Sequence, residues 1–416
     1  MSRFTFYGGT RTIGGTKILI EGTQSRLLLD FGAAFEPAKD PYYGLRTVPQ
    51  RSWKSAFALG LLPPIPGLYP AQALPHLPPG PPPLVLISHL HLDHTSLLPY
   101  LDPEVPVAMS AESLQLLRLL ESIGEGLGEH RYLEVAPGEP LRWGEFEIVA
   151  HSVDHDLPGA VAYEIRIGQA RLLYSGDLRG HGLHPERHEA LIERVPSPTV
   201  LFLEGTRLGQ EGGGLREEQL PRALEAQLLQ AQGAVINLYP RNLERLAALL
   251  TTSRQLGRTP VLSSSTARLF RGWYETLSRE LGVRVYGEEI RAEEIRANPE
   301  GYLLELPYPE LETLVELELP PGSIYLHADG PPLGPYDPAW GNLERWLERL
   351  GLSLVFLRSS GHAEASYLSS LIQRLNPELL VPMHSTAPEK MPYPPSGRRL
   401  LPREGQTYRI PQLRGA

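Results

Sequence analysis

Leu84-Val85-Leu86-Ile87-Ser88-His89-Leu90-His91-Leu92-Asp93-His94 is the stretch on which the reading turns. An apolar run long enough for a buried strand is followed, within six residues, by three imidazoles and a carboxylate. Packing needs no such density: with 13 histidines in 416 residues, three at fixed offsets arise by chance about 3×10⁻⁵ times per starting position. A chain still extended beyond Ser88 projects His89 and His91 to one side, and Asp93 and His94 follow the turn. Imidazole nitrogen and carboxylate oxygen are donors for Zn²⁺, or for Mn²⁺ where carboxylates dominate. Four donors so close suggest two ions; the competing reading is a polar loop of solvated histidines.

One segment cannot enclose two ions, so partners are sought where other apolar runs end. Phe146-Glu147-Ile148-Val149-Ala150 leads into His151, Ala170-Arg171-Leu172-Leu173-Tyr174 leads through Ser175-Gly176 into Asp177, and Leu379-Leu380-Val381-Pro382-Met383 leads into His384. Singly, each reads equally well as a capped strand end or a hydrogen-bonded histidine. Their joint recurrence favours a metal centre.

With these segments in place the chain resembles the metallo-β-lactamase-fold hydrolases, and within them the β-CASP nucleases that include ribonuclease J and the endonuclease of mRNA 3′-end processing. The resemblance spans almost the whole chain. Tyr7-Gly8-Gly9-Thr10-Arg11-Thr12-Ile13-Gly14-Gly15 is similar to the family's opening glycine-rich hairpin, and Asp30 in Leu27-Leu28-Leu29-Asp30-Phe31-Gly32 matches its first motif. The His89–His94 cluster is the second motif, His151 resembles the third and Asp177 the fourth. Glu204 in Phe202-Leu203-Glu204-Gly205-Thr206, His362 in Ser359-Ser360-Gly361-His362-Ala363 and His384 resemble the β-CASP motifs A, B and C. A histidine at the last of these is associated with RNA-directed members, where DNA-directed ones carry valine.

Carried over residue by residue, the resemblance implies that His89, His91 and His151 hold one metal, that Asp93, His94 and His384 hold the other, and that Asp177 bridges. Asp30 would orient a ligand histidine without binding metal itself. Asp93, Asp177, His362 and Glu204 are the catalytic candidates: a hydroxide shared by two cations, zinc or else manganese, attacks phosphorus, and His362, hydrogen-bonded by Glu204, gives the leaving oxygen a proton. Arg358, Ser359, Ser360 and Gly361 are candidate phosphate contacts, helped by the amides opening a helix predicted from Ala363 to Leu375. Departures from ribonuclease J are Thr95-Ser96 where glycines usually follow the second motif, Arg358 where histidine is common, and His327-Ala328-Asp329-Gly330 in place of the Gly-Ser phosphate loop. The seven remaining histidines, among them His76 and His155, have no motif support, and His155 is kept only as an extra ligand four residues after His151.

The implied fold is α/β: a metallo-β-lactamase αββα sandwich with an inserted β-CASP domain whose parallel sheet is flanked by helices. Boundaries are expected at 1–205 (first part of the sandwich), 206–350 (insertion) and 351–416 (second part). Strands are predicted at Arg3–Tyr7, Lys17–Glu21 and Ser25–Asp30. Beyond Glu204 the pattern alternates, with helices at Arg216–Gln232, Leu243–Leu256, Thr266–Leu281 and Trp340–Leu350 and strands at Ala234–Tyr239, Pro260–Ser263 and Gly322–His327. The Pro-rich residues 37–83 are expected to wrap the surface near the site, with Trp53 and Tyr69 either packing or bordering substrate.

Composition sets outer limits. The chain has no cysteine, which excludes disulfides and thiolate metal sites. It has 42 proline and only Lys17, Lys39, Lys54 and Lys390 against 35 arginine, fitting a high-temperature or GC-rich source. The formal charge of -9 argues against nucleic acid only weakly, because local clusters such as Arg241, Arg245, Arg254 and Arg258, or Arg398, Arg399 and Arg403, would form a track unless they are solvated faces. Neither a secretory signal nor an apolar stretch of about 20 residues is present, so a cytoplasmic protein without membrane contact is expected. The sequence therefore reads as a metal-dependent ribonuclease, endonucleolytic or 5′-to-3′ exonucleolytic, acting on single-stranded RNA, and a homodimer is carried over from the family although its C-terminal domain has no counterpart. The alternatives are a hydrolase of DNA, a small ester or a nucleotide, and a non-catalytic nucleic-acid-binding paralogue.

Overall fold

A computed structural model describes residues 2–42, 52–73, 80–210 and 212–411. His76 lies outside them, as do residues 43–51 and 74–79 of the Pro-rich stretch. Three sheets carry the chain. The first joins β1 (Arg3–Gly8), β2 (Lys17–Glu21), β3 (Arg26–Leu29), β4 (Leu84–Leu86), β5 (Pro106–Ser110) and β6 (Arg131–Val135) in sequence order. The second joins β7 (Pro140–Trp143), β8 (Phe146–Ser152), β9 (Val161–Ile167), β10 (Ala170–Tyr174) and β11 (Val200–Glu204). The third holds β12 (Ala234–Leu238), β13 (Thr259–Leu262), β14 (Arg284–Val285), β15 (Tyr302–Glu305), β16 (Ile324–Ala328) and β17 (Ser353–Phe356), in the order β14-β13-β15-β12-β16-β17 and parallel throughout. After it the chain returns to the second sheet, adding β18 (Leu379–Met383) beside β11 and β19 (Arg398–Arg399) at the edge, and closes the first sheet with β20 (Thr407–Arg409) beside β1.

Burial explains the layering. The inner faces of the first two sheets share one core, in which Phe4 of β1 meets Phe202 of β11 edge-on with ring centroids 5.1 Å apart. The outer face of the second sheet is covered by helices Pro185–Arg194 and Ala365–Leu375. Helix Ala111–Ser122 covers the outer face of the first, and the same apolar cluster runs on without a break into helices Leu220–Leu228, Leu243–Gln255 and Ser264–Trp273 on the third sheet. The third sheet's other face packs on Trp340–Leu350 and its neighbours. The architecture is thus an α/β sandwich with a parallel, helix-flanked sheet inserted between β11 and β18.

Three expectations need correction. β17 pairs with β16, so the chain leaves the third sheet only after Phe356, several residues beyond Gly351. The helix expected over Thr266–Leu281 is two, divided at Tyr274. β15, which the pattern reading missed, sits between β13 and β12, because a short parallel strand is defined by neighbours distant in sequence.

Candidate metal centre

The carboxyl ends of β3, β4, β8, β10, β11 and β18 deliver the candidate side chains to one place, where loops in α/β sheets build sites. His89, His91, His155 and Asp177 form one group of potential metal donors; Asp93, His94, Asp177 and His384 form a second; Glu204, His362 and His384 adjoin them. In the first, His91 Nδ1 stands 3.1 Å from the Nε2 atoms of both His89 and His155. In the second, His94 Nε2 lies 3.1 Å from Asp177 Oδ2 and 3.3 Å from His384 Nε2, which is itself 3.1 Å from Asp93 Oδ2.

His151 is not among them. It belongs to the β8–β9 ladder opposite Ala162 and turns its Nε2 to Glu164 Oε2 at 3.1 Å. His155 takes the place expected of it. In the structure His89 and Asp177 each lie three residues past the last residue of their strands, and so does His155, whereas His151 is still inside β8.

Most rings in the cluster are fixed from behind. Asp30 Oδ2 is 2.7 Å from His94 Nδ1, while Asp30 Oδ1 accepts the Ser88 amide at 2.7 Å; Tyr174 donates to the same carboxylate. Ser88 Oγ sits 2.9 Å from His89 Nδ1, the Gly361 carbonyl 2.6 Å from His155 Nδ1, and Thr206 Oγ1 2.7 Å from His384 Nδ1. Thr206 escaped the sequence reading, although it stands in the motif that flagged Glu204. Asp30 and His384 adopt left-handed φ of 52° and 51°, a conformation costing a side chain about 1–2 kcal/mol, held by these bonds and by the His384 amide donating to Gly9 O at 2.7 Å. The glycine-rich hairpin earns its composition at Gly14 (φ +71°), where a Cβ would come within 2.3 Å of Asp93 Oδ2.

Electrostatics divide the cluster. Burial, helped by neighbouring imidazoles, holds His89 and His155 below the usual histidine range and His91 at about 4, which leaves their lone pairs free. Burial also opposes charge on His94, but Asp177, Asp93 and Asp30 outweigh it and raise that ring well above 6.5. Against the same penalty, Asp177 is held well below the carboxylate range by His384 and His94, and Asp93 by His94 and His384. Asp156 is lowered against burial by His155, His91, Arg179 and Arg245.

The motif A and B residues meet differently from expectation. Glu204 Oε2 accepts the Thr206 amide at 2.8 Å and Oε1 the Ala363 amide at 3.1 Å. His362 Nδ1 lies 3.8 Å from Glu204 Oε1 and 3.7 Å from Asp177 Oδ2, ion-pair rather than hydrogen-bond range. Burial opposes its charge, but Glu204 and Asp177 raise it to about 9. The adjoining helix starts at Ala365, two residues later than expected. Arg358 stacks on Phe356 with its guanidinium carbon 4.2 Å from the ring centre and donates to Leu333 O at 3.2 Å. The Ser359 and Ser360 carbonyls accept from Arg245 and His181 at 2.6 and 2.8 Å. Ser360 Oγ accepts the His362 amide at 3.1 Å.

Three arginines of the first candidate track are buried and engaged within the protein, whereas Arg254, Arg398 and Arg403 are exposed. Arg241 donates to Leu90 O at 2.7 Å and Glu125 at 2.8 Å, and Arg258 to the carbonyls of Leu228 and Ala231 at 2.7 and 2.6 Å. Arg245 and Arg179, both buried, share Glu217, at 2.8 and 2.6 Å, and continue to Asp329 and Asp154. Arg241, and Arg179 with Arg245 through Glu217, tie the inserted segment to the sandwich. Beside the cluster a cavity of about 1000 Å³ opens between Leu92, Trp53 and Tyr100 on one side and Tyr239, Arg241 and Tyr308 on the other, with the Tyr239 ring centre 5.2 Å from that of His91. Trp53 borders this space, whereas Tyr69 is buried and donates to Pro63 O at 2.7 Å.

The family model described as a beta-lactamase superfamily domain matches residues 61–235. A crystal structure of a protein of unknown function from Enterococcus faecalis V583 superimposes with a TM-score of 0.85 at 27% identity, covering 98% of this chain and 99% of that one. Ribonuclease J of Mycobacterium tuberculosis is 24% identical over 417 residues, 92% of this chain and 69% of its own. Residues 61–235 thus match a beta-lactamase superfamily domain, and most of the chain is similar to ribonuclease J. Transcription termination factor FttA of Thermococcus kodakarensis is 24% identical over 282 residues, 62% of this chain and 38% of its own.

The metallo-β-lactamase fold implies divalent metals, and the donor set fits them. Nitrogen and carboxylate oxygens converge from two sides on Asp177, whose Oδ1 is buried without a hydrogen-bond partner. Ring nitrogens facing outward are held by acceptors or hydroxyls, which leaves the inward ones as lone-pair donors. Among the described residues no helix is long and apolar enough to cross a membrane.

Proposed function

We propose that the protein is a metal-dependent ribonuclease that hydrolyses phosphodiester bonds of single-stranded RNA at this centre. The observation that carries the reading is the pair of donor groups sharing Asp177, with the imidazole of His362 at their edge, 3.7 Å from Asp177 Oδ2. Relatives named ribonuclease J and transcription termination factor FttA support RNA as the substrate class. His89, His91, His155 and Asp177 would hold one cation and Asp93, His94, His384 and Asp177 the other, zinc or manganese by donor chemistry. Two bound cations supply Lewis acidity and positive charge to a phosphoryl group under attack. His362 protonates the departing oxygen, with Glu204 beside it to support its charge. The segment from Thr206 through β17 acts as a domain forming the far wall of the cleft.

Metal-loaded protein is incubated with 5′-labelled single-stranded RNA and matched DNA, beside Asp93→Ala. RNA cut by the wild type and spared by the variant is the expected result. RNA left intact with both metals confirmed, or DNA cut in preference, overturns the reading; shortened ladders versus released mononucleotides separate endonuclease from exonuclease.

A further inference from the structure

His91 differs from the other ring donors. His89, His94, His155 and His384 face the cluster with Nε2 and have Nδ1 held within 2.9 Å by Ser88, Asp30, Gly361 and Thr206. His91 faces it with Nδ1, 3.1 Å from two neighbouring nitrogens, so Nε2 must carry its proton and needs an acceptor of its own. Asp156 Oδ1 stands 3.4 Å from that Nε2 and 3.2 Å from His155 Nε2. The same oxygen is buried and has no hydrogen-bond partner in the protein. The carboxylate is seated against Gly361, where a Cβ would come 2.7 Å from Asp156 Cγ.

We infer that Asp156 is a positioning residue of the His89–His91–His155 half-site, its carboxylate facing the Nε2 of His91 at ion-pair distance and thereby favouring the tautomer whose Nδ1 lone pair faces a cation. The reasoning is chemical. A neutral imidazole has one proton, and the ring nitrogen that finds an acceptor keeps it; a carboxylate acceptor also makes the opposite nitrogen a better donor. His91 needs this more than its neighbours do, because its side chain is 16% exposed whereas His89 and His155 are fully enclosed. The inference rests on reading the cluster as a metal centre.

The test strips the protein with chelator and reloads it with Co²⁺, following affinity by calorimetry and ligand geometry by visible absorption, for wild type, Asp156→Asn and Asp156→Glu. The wild type should take two ions. Asp156→Asn should bind one of them about 10–100-fold more weakly, with that ion's absorption band shifted and the other ion unchanged; Asp156→Glu, which restores the charge, should recover most of the loss. In a His91→Ala background Asp156→Asn should cost nothing further, a coupling that loss of general charge or packing would not produce. Wild-type affinity and spectrum in Asp156→Asn, or equal weakening of both ions, overturns the inference and leaves the metal centre standing. A wild type that takes no ion overturns both. Melting curves in chelator check that the variants are folded, and should Asp156→Asn not fold, the Asp156→Glu spectrum decides, a band at the wild-type position supporting the inference and a loss of that ion sinking it.

Discussion

The His89–His91–His155 half of the cluster and the Asp93–His94–His384 half share Asp177 but are assembled from very different lengths of chain. The first closes a loop of 64 residues between His91 and His155, whereas the second waits for His384, 290 residues beyond His94. The first is three neutral imidazoles around one carboxylate, and the second gathers two carboxylates with two rings. A nitrogen-rich half formed early in the chain suits a tightly held ion. An oxygen-richer half completed only after the third sheet is folded and the chain has returned suits one that exchanges more readily.

The sharpest break of this comparison is Asp177→Asn, which removes the shared carboxylate: both ions should be lost and RNA cleavage should fall by more than the roughly 100-fold typical of an outer partner, read by metal analysis and a cleavage assay. Retention of either ion at wild-type affinity would sink the idea of a shared ligand. His362→Ala should lower cleavage by about 10²–10⁴-fold with both ions in place. In metal-free protein its pair with Glu204 also has a pH signature. The folded-state pKa, about 9, is raised above the unfolded value near 6.5, so the pair's stability is fully present below about pH 6.5 and disappears as pH rises through about 9. Chelator-treated wild type and His362→Gln should therefore differ in melting temperature at about pH 6 and converge above about pH 10.

Thr206→Val sharpens the difference between the halves, since it frees only the His384 ring: the Asp93–His94–His384 ion should weaken by about 10–100-fold while the other holds, as titration would reveal. The smallest effect belongs to His151→Ala. It should leave both ions bound and cost about 1–2 kcal/mol of stability, because Glu164 keeps Arg166 and Arg171 as partners; a lost ion would restore His151 as a ligand. His155→Ala in the same experiment should empty the nitrogen-rich half.

What the sequence made legible was whatever lies just beyond a strand. The His89–His94 cluster, Asp177 and His384 all sit there, and the structure brings them together. His151 misled because β8 runs two residues farther than its apolar run, through His151 and Ser152, pairing with β9 to the end. Thr206 and Asp156 were invisible for another reason: a hydroxyl or carboxylate behind a ring is defined only by the ring it meets, and those rings come from segments far away. The arginines show the limit of reading charge as surface. Arg241, Arg245 and Arg258 look like a basic track in one dimension, yet each is buried and spends its donors on carbonyls and carboxylates that only the folded chain provides.

Glu217 sits between two guanidiniums, Arg179 of the sandwich and Arg245 on helix Leu243–Gln255 of the inserted segment. Excising the residues between β11 and β18 to study them alone would take Glu217 from Arg179, leaving that buried guanidinium with Asp154 only, and would cut through the apolar cluster that runs from helix Ala111–Ser122 into the helices of the third sheet. The two lobes are thus mutual chaperones: neither fragment inherits a complete interior, and attempts at separate expression should give aggregates that dissolve only when the pieces are refolded in each other's company.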